Sequence, residues 1–261
     1  MEKVKKLPYG YRGKLGLIVV GPNPTPREDV SRMVPEGVMV LETRIDMEPV
    51  VELDVISKLS AQLPDAARIL SQGKVDAIAI ACTAGTITGG PGHEQTEIKE
   101  MNEKSNGIPC TTVINSVMNA FSFMDVKKLV LASPYIDLIN ENFVSYLKYF
   151  GYEVVEVASL GVTDSYKLAS VPSNDIYSMA KKVARKDVDG IFLPCTTFPV
   201  IDVIDEIEKD TGLKTISSNQ ALAWNMLRVI GISEKIYGFG NLLELPDRTD
   251  FNNTSEKESE V

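Results

Sequence analysis

The stretch Val75-Asp76-Ala77-Ile78-Ala79-Ile80-Ala81-Cys82-Thr83 decides the fold, because the chain contains it twice in outline. Val188-Asp189-Gly190-Ile191-Phe192-Leu193-Pro194-Cys195-Thr196 keeps the valine, aspartate, isoleucine and closing Cys-Thr at an offset of 113 residues. Near-continuous apolar runs of this length suit strands of a parallel sheet covered on both faces. Two more landmarks keep the spacing. Leu17-Ile-Val-Val-Gly-Pro-Asn23 matches Lys128-Leu-Val-Leu-Ala-Ser-Pro-Tyr135, with Pro22 and Pro134 112 residues apart. Gly37 and Gly151, each opening a β-rich run, lie 114 residues apart. Three landmarks in one order and nearly one offset predict an internal duplication: two pseudo-symmetric α/β lobes whose strand ends face each other across a cleft.

The remaining periodicity agrees. Residues 15–20, 37–45 and 75–81 read as strands, and residues 54–70 as a helix carrying Val55, Leu59, Leu63, Ala66 and Leu70 on one face. Each lobe is expected to be a mostly parallel sheet flanked by helices. The first lobe takes residues 1–122 with Cys82, and the second residues 123–246 with Cys195, with a crossover of the chain expected near 215–235. Residues 247–261 are polar, charged and aperiodic, and are expected to be disordered.

Composition narrows the function. The 261 residues are 44% hydrophobic and 24% charged, ordinary globular values that exclude collagen-like and coiled-coil chains. Lys plus Arg total 27 against 36 Asp plus Glu, a net charge of −9, so the basic footprint of a nucleic-acid binder is missing. No apolar run approaches the ~20 residues needed to cross a bilayer. The basic N-terminus (Met1-Glu2-Lys3-Val4-Lys5-Lys6) lacks the apolar core and cleavage site of a signal peptide. Three widely spaced cysteines, Cys82, Cys110 and Cys195, do not make a disulfide framework. A cytoplasmic protein is expected, with no nucleic-acid or membrane partner.

Ligands of open α/β sheets bind beyond the carboxyl ends of the strands, where Cys82 and Cys195 stand, each followed by threonine. Residues from Pro199 onward read as a helix with Val200, Ile204 and Ile207 inward, which would set Cys195 and Thr196 beside free N–H groups. Such a place lowers a thiol pKa and binds carboxylates. A single cysteine is commonly a small core residue, which is the expectation for Cys110. Matched positions in a duplicated fold argue otherwise for Cys82 and Cys195. Two thiols flanking a small carboxylate can racemise the neighbouring carbon, or add reversibly to an activated double bond and let it rotate. Neither chemistry calls for a metal or organic cofactor.

Other features carry less. His93, the one histidine, lies in Gly89-Gly90-Pro91-Gly92-His93 and reads as a plain loop residue. That loop lacks the Lys-Ser/Thr ending of a phosphate loop, and no G-x-G-x-x-G follows a strand. Trp224 reads as core, and the acidic run at residues 202–210 as a solvated helix face.

The chain resembles the aspartate/glutamate racemase superfamily, and within it the branch of maleate cis-trans isomerases and arylmalonate decarboxylases. The resemblance covers residues 11–237. It rests on Leu15-Gly-Leu-Ile-Val-Val-Gly-Pro-Asn23, Arg32-Met-Val-Pro-Glu-Gly-Val38, Cys82-Thr-Ala-Gly-Thr86, Pro134-Tyr135, Cys195-Thr196 and Ser218-Asn-Gln-Ala-Leu-Ala-Trp224, with Leu227-Arg228 and Gly231. It implies a substrate held between two lobes, Cys82 as the nucleophile that adds to the double bond and Cys195 as the group that handles a proton. It implies carboxylate contacts at Asn23 and Tyr135 and from the backbone at Thr83 and Thr196, and self-association into a homo-oligomer. The decarboxylases lack the first cysteine, so Cys82 counts against that activity. Two departures bear on the substrate: Pro24-Thr25-Pro26 stands where the family often has consecutive threonines, and Ser165 where the isomerases tend to have asparagine.

The leading expectation is therefore a cofactor-independent cis-trans isomerase of a small unsaturated dicarboxylate of the maleate type. A two-thiol racemase of an amino acid or hydantoin ranks second, and a non-catalytic carboxylate-binding protein third. A small carboxylate is the expected partner in each case.

Overall fold

Two four-stranded parallel sheets, built by the same strand order, organise the chain. The computed structural model describes residues 7–246; the tail expected to be disordered lies outside them. The first half runs β1 (Gly13–Val20), α1 (Thr25–Arg32), β2 (Val38–Ile45), α2 (Leu53–Ile56), α3 (Leu63–Ser71), β3 (Ala77–Ala81), α4 (Thr83–Thr88), α5 (His93–Lys104), β4 (Cys110–Thr112) and α6 (Val113–Phe123). The second runs β5 (Lys128–Ser133), α7 (Asp137–Tyr149), β6 (Glu153–Ser159), α8 (Ser165–Leu168), α9 (Ser173–Val183), β7 (Gly190–Leu193), α10 (Ile204–Thr211), β8 (Lys214–Ser217), α11 (Ser218–Val229) and α12 (Asn241–Glu244). Strand order is β2-β1-β3-β4 in one sheet and β6-β5-β7-β8 in the other. All pairings within both are parallel. The two-lobed α/β class read from the duplicated motif is the observed one.

The repeated aspartate has a structural cause. Asp76 Oδ2 accepts the backbone N–H of Lys14 at 2.7 Å, while its own N–H goes to the Lys14 carbonyl. Asp189 Oδ2 accepts from Lys127 and Lys128, while its N–H goes to the Lys128 carbonyl. Each carboxylate thus clasps the entry of the central strand that its own strand joins. Gly37 and Gly151 also correspond, with φ of +91° and +80° just before the edge strands. At Gly37 a Cβ would also lie 2.5 Å from the ring of Tyr11, an exposed side chain that would have to move.

The core fills both faces of each sheet. Every residue of β3 and β7 is buried, as flanking helices on both sides require. Trp224 lies in α11 and is buried, as expected of a core residue. Helix α11 follows the second sheet in sequence, yet it packs on α6, α1 and β3 of the first half. Among the described residues no helix is long and apolar enough to cross a membrane.

Four expectations need correction. The helix read over 54–70 is broken into α2, a 3₁₀ turn at Ser60–Gln62 and α3, because Pro64 starts a new helix and has no N–H to continue the old one. The helix read from Pro199 begins at Ile204 instead, after turns at residues 196–203. His93 is not in the loop but opens α5, where its ring faces Ser60 and Glu97. The acidic run is not wholly solvated: Glu208 is buried, its two oxygens accepting backbone N–H groups of Thr215 and Asn241 at 2.9 and 2.7 Å.

Burial pushes the Glu208 carboxyl up to about 7, and that of Asp29 in α1 up to about 6. Both values exceed those of the unfolded chain, so the folded state binds these protons more tightly. Their contribution to stability is greatest below pH 4, declines as pH rises to 7 and is constant above, by up to about 3 kcal/mol for each group. Calorimetry should give a Tm several degrees lower at pH 8 than at pH 5. A Tm that is flat or rises over that range would contradict the assigned environments.

Candidate active site

Both sheets end at the same place. Cys82 follows the last residue of β3 and is the N-cap of α4, and Cys195 comes two residues after β7. Among the described residues, the two cysteines line one cavity together with polar Thr83, Tyr135, Ser165, Thr196 and Thr197 and apolar Val20, Met47, Val51, Ile56 and Ala84. Its volume is about 20 Å³, room for about one water molecule. No Lys, Arg, His, Asp or Glu lines it. The roof is stitched from both halves: the Val51 N–H donates to the Thr163 carbonyl at 2.7 Å and the Ser165 N–H to the Pro49 carbonyl at 3.1 Å.

The two cysteine turns differ in geometry. Cys82 has an extended backbone, and its sulfur lies against the Gly85 end of the first turn of α4, without a side-chain capping hydrogen bond. Cys195 has φ of +89°, a left-handed conformation that a residue with a side chain holds only under constraint. The turn brings the N–H groups of Thr197 and Phe198 close to the Cys195 sulfur, a small nest of the kind that suits negative charge, and the Phe198 N–H donates to the Cys195 carbonyl at 3.3 Å. Between that turn and α10 the chain makes shorter-range bonds instead, from the Val200 N–H to the Phe198 carbonyl at 2.9 Å and from the Val203 N–H to the Val200 carbonyl at 3.1 Å. Tyr135, at the end of β5, is fully enclosed, its hydroxyl hydrogen-bonded to Cys195 and Thr83.

Thr196 ties the sheets together. Its hydroxyl donates to the carbonyl of Ala81, the residue before Cys82, at 2.9 Å, and accepts from Asn23 Nδ2 at 3.0 Å. Asn23 is not among the cavity-lining residues; its Oδ1 accepts from Thr25, and it braces Thr196 from behind. Of the positions singled out in the sequence, Cys82, Cys195, Thr83, Tyr135, Ser165 and Thr196 therefore line one cavity. Cys110 lies apart, its thiol donating to the Ile108 carbonyl at 3.2 Å.

The expected lowering of the thiol pKa does not occur. Burial pushes Cys82 up to about 12 against the opposing Gly85 N–H, and raises Cys195 against Tyr135 and the nest. Tyr135 is raised as well, by burial and by Cys195. Removal from water outweighs a few N–H dipoles, so the resting cavity is neutral. Sequence reading missed Thr197, Ala84, Gly85 and the apolar wall. Only Gly85 left a trace, as a glycine three residues after the cysteine. Among the described residues no three His, Cys, Asp or Glu side chains gather as a metal site.

Gly85 is required by contact. A Cβ there would lie 3.1 Å from Cys82 Sγ and 3.2 Å from Leu59 Cδ1. Gly85→Ala should displace the thiol by a few tenths of an ångström, lowering turnover by about tenfold or more while Tm changes by only a few degrees. Unchanged turnover in a folded variant would remove Gly85 from the site.

The comparisons with known proteins agree with this architecture. A maleate isomerase from Nocardia farcinica is 23% identical over 88% of this chain and 95% of its own length. The crystal structure of a maleate isomerase from Pseudomonas putida with maleate has a TM-score of 0.84 at 20% identity, covering 88% of this chain and 97% of that one. A double mutant of arylmalonate decarboxylase in the liganded form has a TM-score of 0.83 at 26% identity, covering 88% and 98%. An arylmalonate decarboxylase from Bordetella bronchiseptica is 31% identical over 54% of this chain, a match that spans 60% of that relative. The family model described as arylmalonate decarboxylase matches residues 37–243, which include both cysteine turns, both sheets from β2 onward and α11, and on that evidence the chain belongs to the arylmalonate decarboxylase family.

Proposed function

We propose that the protein is a cofactor-independent cis-trans isomerase of a small unsaturated dicarboxylate, of the maleate type, working through a covalent adduct on Cys82. The observation that carries this reading is that two buried thiols, one from each sheet, line a single cavity with Tyr135 and backbone donors. The name of one structural neighbour supports it: a Nocardia farcinica maleate cis-trans isomerase mutant with a covalently bound succinylcysteine intermediate, TM-score 0.83 at 21% identity, covering 89% of this chain and 98% of that one.

In net terms the Cys82 S–H adds across the alkene. Sulfur bonds to one carbon, Cys195 delivers a proton to the other, and the proton given up by Cys82 restores the Cys195 thiol. The C–C bond is then single and rotates. Elimination reverses both transfers: the proton returns, the C–S bond breaks, and the trans alkene leaves with Cys82 again a thiol. Charge that develops on the carboxylate beside the carbanion is stabilised by Tyr135, Thr83, Thr196 and Thr197, neutral donors whose effect is strong in a cavity without bulk water. Asn23 acts through Thr196, which it braces.

A second reading has its own support. The apolar wall of Val20, Met47, Val51 and Ile56, with no cationic side chain beside it, suits a carboxylate with one apolar substituent, on which the two thiols would act as opposed acid and base. Incubation with maleate and with chiral monocarboxylates in deuterated buffer, followed by NMR, separates the two. Isomerisation gives fumarate and is abolished in Cys82→Ser, with a smaller loss in Cys195→Ser. Racemisation puts solvent deuterium on the α-carbon and loses equally in both. Ligand binding with neither product would leave a non-catalytic carboxylate binder. Because burial holds Cys82 as a thiol, kcat/KM should climb by up to tenfold per pH unit from 7 toward 10, following the thiolate fraction. A plateau below pH 7.5 would contradict the assigned environment of Cys82.

A further inference from the structure

The first turn of α11 touches both cysteine turns at once. Ser218 Oγ accepts from Thr83 Oγ1 at 2.9 Å, directly after Cys82, and Asn219 Nδ2 donates to the carbonyl of Thr196 at 2.9 Å, directly after Cys195. The same Nδ2 donates to Asp29 Oδ2 of α1 at 2.7 Å, so both amide hydrogens of Asn219 are engaged. Asn219 and Asp29 are 1% and 4% exposed. Arg32, the cation near Asp29, makes its own paired contact with Asp202.

A buried carboxylate with one amide donor is a costly arrangement, and the side chain that Asp29 holds is Asn219. What lies at the other end of the Asn219 amide is the left-handed turn at Cys195, itself strained. The Thr196 carbonyl shares one peptide plane with the Thr197 N–H, so holding that carbonyl fixes the direction of the Thr197 N–H and the path of the turn that carries the Cys195 sulfur. We infer that Asn219, oriented by Asp29, is a positioning residue that holds the Cys195 turn and thereby sets the second thiol opposite the first. The inference rests on the two-thiol reading above, but its test does not depend on turnover.

The test is the rate of alkylation of each cysteine by iodoacetamide, resolved by peptide mass spectrometry, in the wild type, Asn219→Ala, Asp29→Ala and Asp29→Asn, with Tm for each. Asn219→Ala and Asp29→Ala should change the Cys195 rate by about tenfold or more with Cys82 within about twofold, and where turnover is measurable kcat should fall on the order of a hundredfold with KM little changed. Asp29→Asn should stay near wild type, since its amide oxygen still accepts from Asn219. The Asp29 pair reads the same contact from α1 if Asn219→Ala does not fold. Equal shifts at Cys82 and Cys195, an unchanged Cys195 rate, or equal damage from Asp29→Asn and Asp29→Ala would overturn the inference. Absence of turnover in the wild type with the alkylation pattern intact would sink the isomerase reading and leave the positioning role standing.

Discussion

The hydroxyl of Thr196 donates to the carbonyl of Ala81, and on this buried hydrogen bond the rest of the site depends. It joins the residue after Cys195 to the residue before Cys82, and so ties one sheet to the other. Everything around it reinforces the same junction. Asn23 donates to the Thr196 hydroxyl, Asn219 to the Thr196 carbonyl, and Ser218 accepts from Thr83. Leaving one buried partner of such a bond unpaired costs roughly 1–3 kcal/mol, so the several bonds together hold the lobes in one relation at the point where the thiols are. The apolar core under each sheet supplies the bulk of the stability. The polar junction supplies the alignment.

Duplication explains why so small a cavity can be built from residues so far apart in sequence. Each half places a Cys-Thr pair at the carboxyl end of a central, fully buried strand, as open parallel sheets place their ligand-binding residues. The halves are alike in topology, strand clasps and edge glycines, yet unlike at the cysteines. Cys82 caps a short helix in extended conformation, while Cys195 sits in a left-handed turn with its own nest of N–H groups. One scaffold used twice thus provides two thiols in different environments, which an acid–base division of labour requires.

Electrostatically the cavity is built to be neutral at rest. The protein carries a net charge of −9, and no ionisable side chain other than the two thiols and Tyr135 lines the cavity. Burial raises all three, so the neutral form of each is favoured at neutral pH. Neutral donors do not need to be desolvated as ions, and they retain their full effect where water is excluded.

The chain of amino acids by itself determined the α/β class, the duplication and the identity of the paired cysteines. Those follow from local rules: apolar runs make buried strands, and a motif repeated at one offset makes one architecture repeated. The same local rules misplaced the helix after Pro199, the unbroken helix at residues 54–70 and the protonation of the thiols. The break at Pro64 is itself local, but for the thiols a non-local term won: desolvation at the junction of two lobes outweighs the dipoles of neighbouring N–H groups. The pairing of Asp29 with Asn219, 190 residues apart, was not legible even though Asn219 lies in the Ser218–Trp224 motif, because only the packing of α11 onto the first lobe brings the two within hydrogen-bond distance. Strand content is written in side-chain periodicity, but burial and hydrogen-bond partnership across lobes exist only once the chain has folded.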